Sequence, residues 1–258
     1  MKVVLFCGGL GMRLRDFENV PKPLAKIGYR PVVWHLMSYY AHHGFKDFVL
    51  CLGYRADAIK DYFLNYQETI SNDFVLSGGG RDVELLSEDI SDWRITFVDT
   101  GLHANIGERL LAVRDFLDGE EVFLANYSDG LSDLPLLQYV KDFEKRDETA
   151  CFLSVSPTSY GFHLVEAGRN DVVDRIQFVG DSKVRINGGF FIFRQGIFDY
   201  MRPGEELVEE PFHRMIADQQ LIAYPYEGFW HCMDTFKDKQ VLEDLEAQGE
   251  APWQLWKK

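Results

Sequence analysis

Apolar and polar positions along this chain fall into two alternating patterns. Short continuous apolar runs occur at 3–6, 48–53, 94–99, 121–126, 150–156 and 221–226. Runs of that length fit strands buried on both faces of a parallel sheet. Between them, apolar residues recur every three or four positions, which predicts helices over 27–44, 56–63, 107–117, 134–146, 205–219 (acidic, then helical) and 237–248. The first third reads strand, helix, strand, helix, so its strands pair in parallel through right-handed crossovers. The fold expected is α/β: a Rossmann-like, mostly parallel sheet flanked by helices, with a small antiparallel section.

Three stretches break the rhythm. Residues 66–93 carry two extended runs around Ser77-Gly78-Gly79-Gly80, which predicts a hairpin or flap excursion. Residues 163–179 alternate in two short runs and supply the antiparallel section. In 184–193, Asn187-Gly188-Gly189 precedes an aromatic strand, either a bulge that shapes the strand or a place of close ligand approach. Residues 1–258 read as a single domain without repeats or linkers, closed by a strand, helix and aromatic tail over 228–258.

The first apolar run ends in Cys7-Gly8-Gly9-Leu10-Gly11-Met12-Arg13-Leu14. Glycines let a backbone approach an anion and aim its N–H groups at it. Arg13, and Lys22 within Pro21-Lys22-Pro23, add two cations, so the stretch suits a polyphosphate. It is neither a dinucleotide fingerprint, since Leu14 stands where the third glycine belongs, nor a P-loop, which needs Gly-Lys-Ser/Thr. The dehydrogenase reading falls with the fingerprint. Asp129, at the tip of an apolar strand and before Gly130, is placed to hold a divalent cation or simply to end the strand. Asp234 in Met233-Asp234-Thr235 reads locally as a helix N-cap.

Composition narrows the classes. The apolar fraction of 46% suits an ordered globular chain, and the net charge of −14 argues against a nucleic-acid surface. No apolar run reaches membrane-spanning length and no signal peptide is evident. Cys7, Cys51, Cys151 and Cys232 are scattered, as in a reducing cytoplasm, and do not suggest a zinc site or disulfide framework. His35, His42 and His43 lack acidic or cysteine partners at ligand spacing and read as packing or surface residues.

Taken in order, Gly8-Gly9-Leu10-Gly11, Arg13, Pro21-Lys22-Pro23, Cys51-Leu52-Gly53-Tyr54, Val98-Asp99-Thr100-Gly101, Ser128-Asp129-Gly130, Ile186-Asn187-Gly188-Gly189-Phe190-Phe191, Gly228-Phe229-Trp230, Met233-Asp234-Thr235 and Ala251-Pro252-Trp253 resemble the sugar-1-phosphate nucleotidylyltransferases. The Gly-Phe-Trp, Met-Asp-Thr and Ala-Pro-Trp parts look most like the glucose-1-phosphate cytidylyltransferase branch. The resemblance implies the nucleotide-diphospho-sugar transferase fold and a homo-oligomer. It also implies transfer of a nucleotidyl group from a nucleoside triphosphate, CTP favoured, to a sugar 1-phosphate, glucose 1-phosphate or a relative, with release of pyrophosphate. It makes Arg13 and Lys22 catalytic. Gly8, Gly9, Leu10, Gly11, Arg13, Gly53, Tyr54, Gly101 and Ser128 would bind nucleotide, and Asp129 and Asp234 would hold Mg²⁺. Asn187, Gly188 and Glu210 would face the sugar.

Three positions depart from the family pattern. Met12 replaces a threonine, Ser128 replaces a glycine, and 178–183 lacks the Glu-Lys-Pro whose lysine binds the sugar phosphate, leaving Lys183 or Arg185 as substitutes. The alternatives are the same chemistry with UTP, dTTP or another base on a modified sugar phosphate, or a nucleotide- or sugar-binding protein that has lost catalysis.

Overall fold

The computed structural model describes residues 1–9, 20–157 and 163–257. Its main sheet is built from β1 (Val3–Phe6), β4 (Asp47–Leu52), β7 (Arg94–Asp99), β8 (Val122–Tyr127), β10 (Ala150–Val155), β13 (Ile186–Asn187), β14 (Phe191–Arg194) and β15 (Leu221–Pro225). The order across the sheet is β15, β10, then β13 and β14 end to end, β8, β1, β4 and β7. Strands β8, β1, β4 and β7 pair in parallel, as do β10 and β15. Only the β13–β14 line runs antiparallel to its neighbours.

Side chains alternate across a strand, so β1 serves two helical layers at once. Val3 and Leu5 pack with helices α1 (Val32–His42), α2 (Ala56–Leu64), α4 (Leu136–Glu144) and α6 (Phe236–Ala247). Val4 and Phe6 pack with α3 (Ile106–Ala112) and α5 (Glu210–Ala217). This is the mostly parallel sheet between helices that the apolar runs predict. All four cysteines are free thiols.

Several boundaries differ from the periodicity. The helix expected over 27–44 begins at Val32, because β2 (Lys26–Ile27) and β3 (Arg30–Pro31) form a tight hairpin turning at Gly28 (φ 61°). Pro31 becomes the N-cap, and Pro135 does the same for α4; a proline has no N–H to give up there. Helix α3 stops at Ala112 and finishes as the 3₁₀ turn Arg114–Leu117. The excursion is an antiparallel hairpin of β5 (Phe74–Ser77) and β6 (Asp82–Leu85). A second hairpin joins β11 (His163–Ala167) to β12 (Val173–Phe178). A short ribbon pairs β9 (Gly130–Ser132), which periodicity did not show, with β16 (Trp230–Cys232). Among the described residues no helix is long and apolar enough to cross a membrane.

Candidate active site

Lys22 sits on a single 3₁₀ turn, Lys22–Leu24, with Pro21 before it and buried Pro23 within it. The two rings fix their backbone angles, so the lysine stem leaves from a stiff base. Asp129 lies between β8 and β9, with only Ser128 separating it from the end of β8. Asp234 follows β16, and the β9–β16 ribbon places Cys232 opposite Gly130 while the Met233 N–H donates to the Asp129 carbonyl at 2.9 Å. That short ribbon brings two carboxylates, over a hundred residues apart in sequence, to one point.

The Lys22 ammonium occupies that point. It donates to Asp129 Oδ2 and, at 2.6 Å, to Asp234 Oδ1. Burial pushes its pKa down, but the charges of Asp129 and Asp234 outweigh burial and hold it above the ordinary lysine value. Asp234 does not cap the following helix: Thr235 is the N-cap and Asp238 completes a capping box. Its side chain is thereby left to face Lys22. Asp129 is 19% exposed and Asp234 44% exposed, so the point opens to solvent on the Asp234 side.

Beside it stand the carboxyl ends of β1, β4 and β7. Buried Arg109 ties them together: its guanidinium donates to the carbonyls of Leu52, Gly101 and Gly8, each at 3.0 Å, and to Thr100 Oγ1 at 2.7 Å. All four acceptors are neutral, and burial lowers the Arg109 pKa. Gly53 is required here, since a Cβ would lie 2.8 Å from the Gly101 carbonyl oxygen and 2.9 Å from that of Gly8. Gly8, Gly53, Tyr54 and Gly101 thus form one cradle, the Tyr54 N–H donating to Gly8 at 3.4 Å. Gly9 follows Gly8 at its rim, exposed. Leu10, Gly11, Met12 and Arg13 lie outside the described residues.

The third part is the Asn187-Gly188-Gly189 turn, where the β13–β14 line breaks. Asn187 Oδ1 accepts from the Gly189 N–H at 2.9 Å, and Asn187 Nδ2 donates to the Tyr127 hydroxyl at 3.4 Å. The Gly188 carbonyl accepts from Trp230 Nε1 at 2.8 Å. Gly189 has φ 72°, and a Cβ there would overlap the Asn126 amide. The stretch interrupts the strand line between β13 and β14, and it sits beside Tyr127, two residues before Asp129. Ser128 is buried with its side chain against the Cys7 thiol, whose pKa burial pushes up to about 12.

Other sequence candidates sit differently. Arg185 is committed to the carbonyls of Ser154 and Tyr226 and to the Glu227 carboxylate. Lys183 is exposed. Glu210 opens α5, exposed, whereas the carboxylate whose charge bears on Tyr127, together with that of Asp129, is Glu206. Sequence reasoning missed Arg109, Tyr127 and Glu206. Arg109 lies in an apolar helical stretch and has the look of a surface charge; nothing local marks it as buried.

Comparison with known proteins decides the family. No protein-family model matches. The chain is 35% identical over 260 residues to the glucose-1-phosphate cytidylyltransferase of Salmonella typhi, covering 99% of this chain and all of that one. The chain belongs to the glucose-1-phosphate cytidylyltransferase family. A "Probable glucose-1-phosphate cytidylyltransferase" of Bacillus subtilis (strain 168) is 34% identical over the same span and coverage. A UDP-glucose pyrophosphorylase crystallised with UDP-glucose superposes at TM-score 0.69 with 15% identity, covering 96% of this chain and 98% of that one, a likeness of fold.

Proposed function

We propose that the protein transfers the cytidylyl group of CTP to the phosphate of glucose 1-phosphate, giving CDP-glucose and pyrophosphate. The observation that carries this reading is the convergence of Lys22, Asp129 and Asp234 beside the glycine cradle in a chain of this family. A sugar-phosphate oxygen attacks the α-phosphorus, the new P–O bond forms, and the bond to pyrophosphate breaks. No protein nucleophile is needed. The chain's task is alignment and stabilisation of negative charge.

The cradle of Gly8, Gly9, Gly53, Tyr54 and Gly101, with Leu10, Gly11 and Arg13, is assigned to the nucleotide, and Ser128 to its border. The residues present fit Mg²⁺: two carboxylates from separate elements face one solvent-open point already compensated by a cation. Among the described residues no third metal-ligating side chain joins them, which suits an ion that takes its other oxygens from phosphates and water. When bound, Mg²⁺ neutralises charge on the phosphate oxygens. Asp129 and Asp234 would hold it, and Lys22 would offer its ammonium to the phosphates in transfer.

Asn187, Gly188 and Glu210 are assigned to the sugar. Arg185 is left out of sugar-phosphate binding because its donors are occupied, and Lys183 remains the exposed candidate. The reaction is placed in the cytoplasm, in keeping with four free thiols. The test is pyrophosphate release with Mg²⁺ from CTP, UTP, dTTP and GTP against a panel of sugar 1-phosphates. Turnover with CTP and glucose 1-phosphate is expected. Turnover with another base alone discards the cytidylyl assignment, and nucleotide binding with no turnover across the panel discards catalysis.

A further inference from the structure

Glu205 and Glu206 are neighbours in sequence with different surroundings. Glu205 is paired with Arg214, whose Nη1 donates to it at 3.0 Å. Glu206 is half-buried, and among the described residues no cation pairs with it. Two backbone N–H groups hold its carboxylate, that of Leu207 at 3.0 Å and that of Ile106 at 3.4 Å. A carboxylate offers about four lone-pair sites, so two N–H groups leave it free to accept more.

The segment that carries Glu206 is fixed in place. Leu207 is fully buried, and Asn105 Nδ2 donates to the Gly204 carbonyl at 3.1 Å. Gly107 lets the segment lie flat on the first turn of α3, since a Cβ there would fall 2.2 Å from the Glu205 carbonyl oxygen. The same helix carries Arg109, which ties the glycine cradle together, so Glu206 and the cradle share one support. Tyr127 stands on the other side. Its ring packs against Phe6 and Phe191, with centroids 6.3 and 5.4 Å apart. Its hydroxyl accepts from Asn187 Nδ2 at 3.4 Å, and among the described residues nothing accepts the hydroxyl hydrogen. Of the charges acting on that hydroxyl, Glu206 is the strongest, ahead of Asp129.

We propose, on the sugar-1-phosphate reading above, that one hydroxyl of the hexose donates to the Glu206 carboxylate and accepts from the Tyr127 O–H, which makes Glu206 a specificity-determining residue. Charge sorts the parts of the substrate. Burial raises the Glu206 pKa, and the charges of Glu209 and Glu210 add to that. A phosphate placed there would add repulsion, whereas a neutral hydroxyl supplies the donor that the carboxylate lacks. The bond from Asn187 to Tyr127 sets Glu206 on the sugar's side of the cradle, away from the ribose. A sugar lacking that hydroxyl is rejected because it leaves both groups unpaired.

Isothermal titration of CDP and CDP-glucose tests this, with wild type, Glu206→Gln and Tyr127→Phe. The ratio of the two dissociation constants reads the gain that the glucosyl group supplies. Each variant should cut that ratio about tenfold or more, leave the CDP Kd unchanged and keep native circular dichroism. Among CDP-glucose analogues lacking one hydroxyl each, one should bind wild type as weakly as Glu206→Gln binds CDP-glucose, and lose nothing further in that variant. Should Glu206→Gln misfold, Tyr127→Phe, which keeps its ring, decides by the same ratio. An unchanged ratio in the folded variants overturns the proposal. So does an equal weakening of CDP itself, which would put the carboxylate on the ribose. A wild type that binds no CDP overturns the cytidylyl reading and this proposal together.

Discussion

At the scale of residues, the proposed chemistry rests on three side chains. Lys22 pairs with both Asp129 and Asp234 in the free protein. Removing it leaves two carboxylates facing each other. Lys22→Met is therefore expected to lower the melting temperature in chelator, to gain more from Mg²⁺ than wild type does, and to lose about 10²–10³ in kcat, the scale of one preorganised charge-stabilising donor. Differential scanning fluorimetry with and without Mg²⁺, together with steady-state kinetics, checks both parts. Equal Mg²⁺ responses in the two proteins would detach Lys22 from the carboxylate pair. Lys22 and Asp129 were legible from local signals, a Pro-Lys-Pro turn and an aspartate at a strand end, whereas Asp234 was reached only through the family resemblance. Arg109 was not legible. Its burial follows from three carbonyls and a hydroxyl that reach it from positions 8 to 101, which no window of sequence displays.

At the scale of elements, helix α6 and the C-terminal tail carry two further expectations. The Thr235–Asp238 capping box fixes the start of α6 and with it the backbone of Asp234, whose N–H donates to Asp238 at 3.2 Å. Thr235→Ala should cost about 1 kcal/mol of stability, yet more than tenfold in rate, measured by urea denaturation and turnover. A rate loss no larger than the stability loss would mean the cap does not position Asp234. His35 on α1 is buried among Trp34, Trp253 and Trp256. One ring nitrogen meets the Ile27 carbonyl at 3.0 Å, and Nδ1 accepts from Trp253 Nε1 at 3.3 Å. Burial lowers its pKa to about 4 from 6.5. The unfolded chain therefore takes up this proton first. The stability is fully present above pH 6.5, declines as pH falls, and by pH 4 has dropped by about 3 kcal/mol. His35→Gln should flatten that slope, read from urea midpoints between pH 7 and 4; an unchanged slope would assign it to other groups. The packing reading of His35 holds for a physical reason, since both its nitrogens are satisfied while it is neutral.

At the scale of the whole molecule, the order of parallel strands and helices was readable because each buried strand is a continuous apolar run. The β9–β16 ribbon was only half readable: its strand near the end of the chain follows from the aromatic run at 229–232, but its partner is three residues long and shows no period. That ribbon is what joins Asp129 to Asp234. The antiparallel β13–β14 line was readable as a strand but not as to direction, which depends on the connection from β12. Charge also acts at this scale. A chain of net charge −14 binds polyanionic nucleotide only through a local cationic pocket, so CTP with Mg²⁺ at a hundred times its Kd should stabilise the fold by about 2.7 kcal/mol, while CTP in chelator should do markedly less. An equal thermal shift in chelator would argue against the carboxylate pair as a cation site.

The central claim, that cytidylyl transfer takes place at Lys22, Asp129 and Asp234, is tested most directly by following CDP-glucose and pyrophosphate from CTP and glucose 1-phosphate by ³¹P NMR. Wild type should form the two products one for one with Mg²⁺. Asp129→Asn and Asp234→Asn should each slow both products by at least a hundredfold, with native circular dichroism. Near-normal product formation in either variant would contradict the account.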